Sequence, residues 1–132
     1  KIVEETRKIL GLPDLRITAT AVRVPVLNGH SESVNIELAS PAPPNEVRKV
    51  LEGAASVVVA DDPPNLEYPM PLDATGRDEV LVGRIRRDPT VPDGVNLWLS
   101  CDNIRKGAAL NAMQIAEHLL GVVPSQAAAV EE

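Results

Sequence analysis

Val95-Asn96-Leu97-Trp98-Leu99-Ser100-Cys101-Asp102 is the stretch on which the fold of this 132-residue chain turns. Val95, Leu97, Leu99 and Cys101 alternate with polar or single-faced residues, the period-2 signature of a half-buried strand, and Trp98 points the other way. Asp102 follows at once and is a good N-cap, so a final helix is expected from there to about Leu120, ended by Gly121. A strand running straight into a helix sets the pattern for the rest. Upstream, residues 79–87 read as a strand with Leu81, Gly83 and Ile85 on one face and Arg84 and Arg86 on the other. Residues 33–38 read as another, with Val34, Ile36 and Leu38 inward, and 56–60 as a short buried one.

The strongest alternation lies in residues 16–24, where Ile17, Ala19, Ala21 and Arg23 share one face and Thr18, Thr20, Val22 and Val24 the other. This predicts a further strand with Arg23 on an apolar face. Residues 1–10 read as a helix stopped by Gly11. Pro41, Pro43 and Pro44 open a helix to about Gly53, with Val47, Val50, Leu51 and Ala54 on its inner stripe. The order helix, strand, strand, helix, three strands, helix gives an α+β domain with a mostly antiparallel sheet and helices on one face. The long Pro-rich segment 61–78 is of the kind that serves binding or association.

Composition narrows the function. Hydrophobic residues make up 44% of the chain with no Phe, one Trp and one Tyr, so the core must be aliphatic. A net charge of −6 argues against a nucleic-acid partner. No apolar run is long enough for a membrane span. The single cysteine excludes an internal disulfide and fits a reducing compartment, the cytoplasm by default. No metal-ligand spacing occurs, and there is no Gly-x-Gly-x-x-Gly dinucleotide turn.

The chemistry-bearing stretch is Arg23-Val24-Pro25-Val26-Leu27-Asn28-Gly29-His30-Ser31-Glu32. A histidine titrating near neutrality, seven residues after a guanidinium that grips carboxylates, suits proton transfer on an anionic substrate. A turn histidine and a surface strand arginine fit the same spacing. Cys101 reads as a buried, inert thiol, because no basic neighbour lowers its pKa. His118 reads as a surface residue near a helix C-terminus. Arg84, Arg86 and Arg87 read as a charged strand end.

That stretch, together with Trp98-Leu99-Ser100-Cys101-Asp102-Asn103-Ile104-Arg105-Lys106-Gly107-Ala108-Ala109, resembles the aspartate-β-semialdehyde dehydrogenase family. The blocks stand in the family's order, and the likeness runs from Lys1 to about Leu120. The resemblance implies an α+β fold of the kind found in the C-terminal domain of glyceraldehyde-3-phosphate-dehydrogenase-like enzymes. It also implies NADPH-dependent reduction of L-aspartyl 4-phosphate to aspartate semialdehyde. It gives His30 the acid/base role toward a cysteine nucleophile, Arg23 the substrate carboxylate, Lys1 the substrate phosphate, and Asn103 the nicotinamide. The family's nucleophile belongs to an Asn-Cys segment that this sequence lacks, and NADP is expected to be held mainly by a domain upstream of Lys1. Residues 1–120 would thus form part of a substrate-binding and dimerisation domain, with 121–132 a disordered tail. The chain would be inactive alone and a homodimer. A related acyl-phosphate reductase, such as N-acetyl-glutamyl-phosphate reductase, and a non-catalytic assembly domain are the other readings.

Overall fold

A computed structural model of the chain describes residues 1–122. The reading of 121–132 as a disordered tail therefore falls, beyond Val122, outside the described residues. Four strands form one sheet in the order β1-β4-β3-β2: β1 (His30–Glu37), β2 (Val57–Val59), β3 (Val80–Asp88) and β4 (Gly94–Cys101). The β1–β4 and β3–β4 pairs are antiparallel and the short β2–β3 pair is parallel, so the sheet is mostly antiparallel as expected. The helices are α1 (Ile2–Leu10), α2 (Pro44–Glu52), α3 (Pro71–Ala74) and α4 (Leu110–Leu120). A π-helical turn, Arg105–Ala109, leads into α4.

The core is aliphatic and small. Val82, Ile85, Val95 and Leu97 are buried together, with Val34, Leu38, Val57, Val59, Val80 and Leu99 packed around them. Val47 and Leu51 of α2 close this face, but Val50 of the expected stripe is 72% exposed. At 3.6 residues per turn Val50 lies one residue short of Leu51, far enough round the helix to face out. α1 stops at Gly11, whose left-handed backbone lets the Gly11 and Leu12 N–H groups close back on Lys8 and Arg7.

Two expected features are corrected. Residues 16–24 form no strand: they lie in an extended, mostly exposed connection with no ladder partner among the described residues. Alternation says which faces a strand would present, but a strand exists only when a neighbouring edge takes its hydrogen bonds. Arg23 is accordingly exposed rather than set in an apolar face. The second correction concerns β3, where the register slips between Gly83 and Arg86. This bulge, with Arg84 at φ 55, turns Ile85 into the core beside Val82 instead of leaving it with Leu81 and Gly83. The Asp61 carboxylate stabilises it by accepting from the Arg84 N–H (2.7 Å) and Ile85 N–H (3.2 Å), and it pairs with the Arg48 guanidinium.

Gly83 explains how the Pro-rich segment seats. A Cβ there would collide with the Ala60 carbonyl and the Pro69 ring. Its absence lets Pro69 bury against the sheet and accept a 2.9 Å hydrogen bond from the Trp98 indole. We expect Gly83→Ala to cost about 1–3 kcal/mol, the usual penalty of forcing atoms into a packed site. Urea unfolding followed by the fluorescence of Trp98, the chain's one tryptophan, measures it directly.

Candidate functional site

His30 opens β1, where its register partner across the sheet is Cys101, the last residue of β4. The approach to it is tightly built. Gly29 adopts φ +91, and a Cβ there would lie 3.3 Å from both the Cys101 carbonyl oxygen and Pro71 Cβ. Only glycine fits this strand entry without strain. The Gly29 N–H donates to Asn103 Oδ1 at 2.8 Å, and Asn28 Nδ2 donates to Asp102 Oδ2 at 3.2 Å. On the other side of His30, the Ser31 and Ser100 hydroxyls are 2.8 Å apart. His30 has the same strand parity as Val34, which predicts a lean toward the apolar side, yet it is exposed. β1 is an edge strand, and of its residues only Val34 is even half-buried.

Asp102 organises the junction. It is only 4% exposed, yet its carboxylate accepts from four donors. Oδ1 takes the Ile104 N–H (2.8 Å) and the Arg105 N–H (3.0 Å), capping the last helical segment as its position suggested. Oδ2 takes the Gly76 N–H (2.9 Å) and the Asn28 amide. Hydrogen bonds from Gly76 and Arg105 above all, with those of Ile104 and Asn28, hold its pKa down to about 2 against burial. Cys101 goes the other way. It is half-buried rather than buried, and burial, then the charges of Glu32 and Asp102, push its thiol up, away from the thiolate form that a nucleophile needs.

The four residues singled out from sequence do not all converge. His30 and Asn103 are brought together through the Gly29–Asn103 bond. Arg23 lies in the exposed connection ahead of them and makes no hydrogen bond or ion pair among the described residues. Lys1 stands at the start of α1, exposed, with Nζ 3.9 Å from Glu5. Asn28 and the second oxygen of Asp102 escaped the sequence reading. An Asn-Gly pair before a strand signals a turn, and nothing in it announces a partner 74 positions away. No group of three or more His, Cys, Asp or Glu side chains is placed to hold a metal among the described residues. No helix among them is long and apolar enough to cross a membrane.

Residues 1–106 match the family described as semialdehyde dehydrogenase, dimerisation domain. The chain belongs to that family. It is 56% identical over 120 residues to an aspartate-semialdehyde dehydrogenase of Prochlorococcus marinus, covering 91% of this chain and 35% of that protein. The corresponding enzyme of Aquifex aeolicus is 52% identical over 120 residues, with the same coverage. The crystal structure of aspartate semialdehyde dehydrogenase II from Vibrio cholerae, complexed with ASA, superposes with a TM-score of 0.84 at 42% identity. It covers 91% of this chain and 35% of that one. The chain thus spans about a third of the length of these relatives. The likeness bears out the α+β fold of the dehydrogenase C-terminal type.

The sign of the pH dependence follows from Asp102. Its folded-state pKa lies below the ordinary 3.8, so its stabilisation is fully present above about pH 4 and is lost as pH falls toward 2. Asp88, held low by Thr90 and Asn35, acts in the same direction. Thermal melts across this range are expected to show Asp102→Asn already destabilised at neutral pH, with a flatter decline between about pH 4 and 2 than the unaltered chain.

Proposed function

We propose that the chain is the substrate-binding and dimerisation part, residues 1–120, of an NADP-dependent aspartate-semialdehyde dehydrogenase of the cytoplasm. Such an enzyme reduces L-aspartyl 4-phosphate to aspartate semialdehyde and phosphate. The observation that carries this reading is the Gly29 N–H bond to Asn103, which joins two motif blocks 74 positions apart at the root of an exposed histidine. The identity to aspartate-semialdehyde dehydrogenases across 91% of the chain supports it.

In this reading His30 is the acid/base group. It takes the proton of a cysteine thiol supplied from outside this chain, as the sulfur attacks the acyl phosphate and phosphate departs with the bonding pair. Reduction of the resulting thioester leaves an alkoxide, to which the protonated imidazole returns that proton; the imidazole takes it back as the thiohemiacetal collapses and the thiolate leaves. Arg23 binds the substrate carboxylate, for which its planar fork is suited. Lys1 contributes charge for the phosphate. Asn103 faces the nicotinamide through its amide nitrogen, since its oxygen is already engaged by Gly29. NADPH, when bound, supplies the hydride. The sequence carries no glycine-rich dinucleotide turn, and in this reading most of the cofactor is held elsewhere in the protein.

Self-association completes the reading. Ile9, Val22, Leu27, Leu72, Leu119 and Leu120 are all at least 78% exposed. They lie on α1, the connection before β1, α3 and α4, and offer apolar surface for association. A second copy and the remainder of the enzyme would cover it.

In the full-length protein, His30→Ala is expected to lower kcat by about a hundred- to ten-thousand-fold, the usual worth of positioned acid/base catalysis. Arg23→Ala is expected mainly to raise KM for the acyl phosphate. Steady-state assays that leave both parameters unchanged would refute the proposal. The chain by itself is expected to show no turnover and, by light scattering, twice its own mass.

A further inference from the structure

We propose that Asn28 and Asp102 form a positioning pair that sets where the His30 imidazole stands. The inference rests on the reading of His30 as the acid/base group and extends it to residues that do not touch the reacting atoms.

The side chain of His30 makes no hydrogen bond among the described residues, so its placement is decided by its backbone. That backbone is held on both sides by side chains at the end of β4. Ser31 meets Ser100, Gly29 meets Asn103, and Asn28 meets Asp102. Capping the helical segment needs only one carboxylate oxygen, and Oδ1 of Asp102 does that alone. The second oxygen is buried and directed away from the helix, at Asn28 and Gly76. A cap with no further role would leave that oxygen in water, where solvation is free of constraint. Instead it is aimed at the residue two positions before His30.

The geometry is also one-sided. On the side a Cβ would occupy, the Cys101 carbonyl and Pro71 stand close to Gly29, which leaves little room toward β4 and α3 if Asn28 lets go. The freer direction is outward, a shift that the Gly29–Asn103 bond alone would then resist and that would carry His30 with it. A displacement of about 1 Å at an acid/base group is enough to cost on the order of a hundredfold in rate.

The test is a double-mutant cycle on kcat in the full-length enzyme, combining Asn28→Ala with His30→Asn and read under single-turnover conditions. Asn28→Ala leaves Asp102 its three backbone donors and the helix cap. We expect it to lower kcat by about ten- to a hundredfold with KM changed less than about twofold. In the His30→Asn background the same substitution is expected to cost less than about twofold, because the group it positions is gone. An unchanged kcat for Asn28→Ala, or an equal loss in both backgrounds, overturns the proposal. Full turnover by His30→Asn alone is a different result, which overturns the acid/base reading and this inference with it. Should Asn28→Ala not fold, Asn28→Ser, whose hydroxyl falls short of Asp102, enters the same cycle with the same expectations.

Discussion

A negative charge buried without a cationic partner is the constraint around which this end of the molecule is arranged. Among the described residues Asp102 has no ion pair, and its charge is offset by three backbone N–H groups and one amide. The donors come from three places: the connection before β1, the turn after α3, and the start of the last helical segment. Separating any of them from the carboxylate would strand part of a buried charge, which costs far more than the loss of an exposed contact. The sheet end, α3 and the C-terminal helix therefore hold a common geometry. The candidate histidine hangs from that junction by its main chain.

Asp61 plays the corresponding part at the bulge of β3. Both carboxylates satisfy pairs of N–H groups that the regular ladder leaves unpaired, one where a strand slips and one where a strand gives way to a helix. Such local polar closure matters more here than in a chain with a larger core. Among the described residues the buried aliphatic side chains are Ala74, Leu81, Val82, Ile85, Val95 and Leu97, with Pro69 beside them, and there is no Phe to bridge the layers. The thin core and the broad exposed apolar surface are two sides of one fact. α2, nine residues long, is the main helix layered on the core face of the sheet, which leaves much apolar side-chain surface uncovered.

Much of this was legible in the residues. The alternation in β4, the proline-opened α2, the glycine stop of α1 and the capping role of Asp102 all follow from local rules. Failures came where the deciding partner was remote. Residues 16–24 carry the best strand pattern in the sequence, but a pattern does not reveal whether an edge is available to pair with it. Ile85 was assigned to the wrong face because a bulge adds one residue and inverts the parity beyond it, with Arg84 giving no glycine signal at the positive φ. His30 and Arg23 were picked out by residue type and by likeness to a family. Strand parity points both toward the apolar side and both are exposed, because parity along a strand says nothing about whether that face is covered. The bond between Gly29 and Asn103 is a matter of chain topology, which spacing along the sequence does not encode.

The position of β1 at the sheet's rim bears on how the molecule behaves in solution. Its outward main-chain groups form a template that another strand can join, and edges of this kind are where β proteins polymerise. Glu32 lies on the strand with no ion pair among the described residues, whereas Glu37 at its end pairs with Arg16, so two rims approaching each other meet like charge at Glu32. That protection is electrostatic and short-ranged, on the order of 10 Å at 0.1 M salt. Ionic strength thus becomes a control on colloidal behaviour. A dilute buffer keeps copies apart at the rim, whereas concentrated salt both thins the repulsion and strengthens the pull of the uncovered leucines and isoleucines.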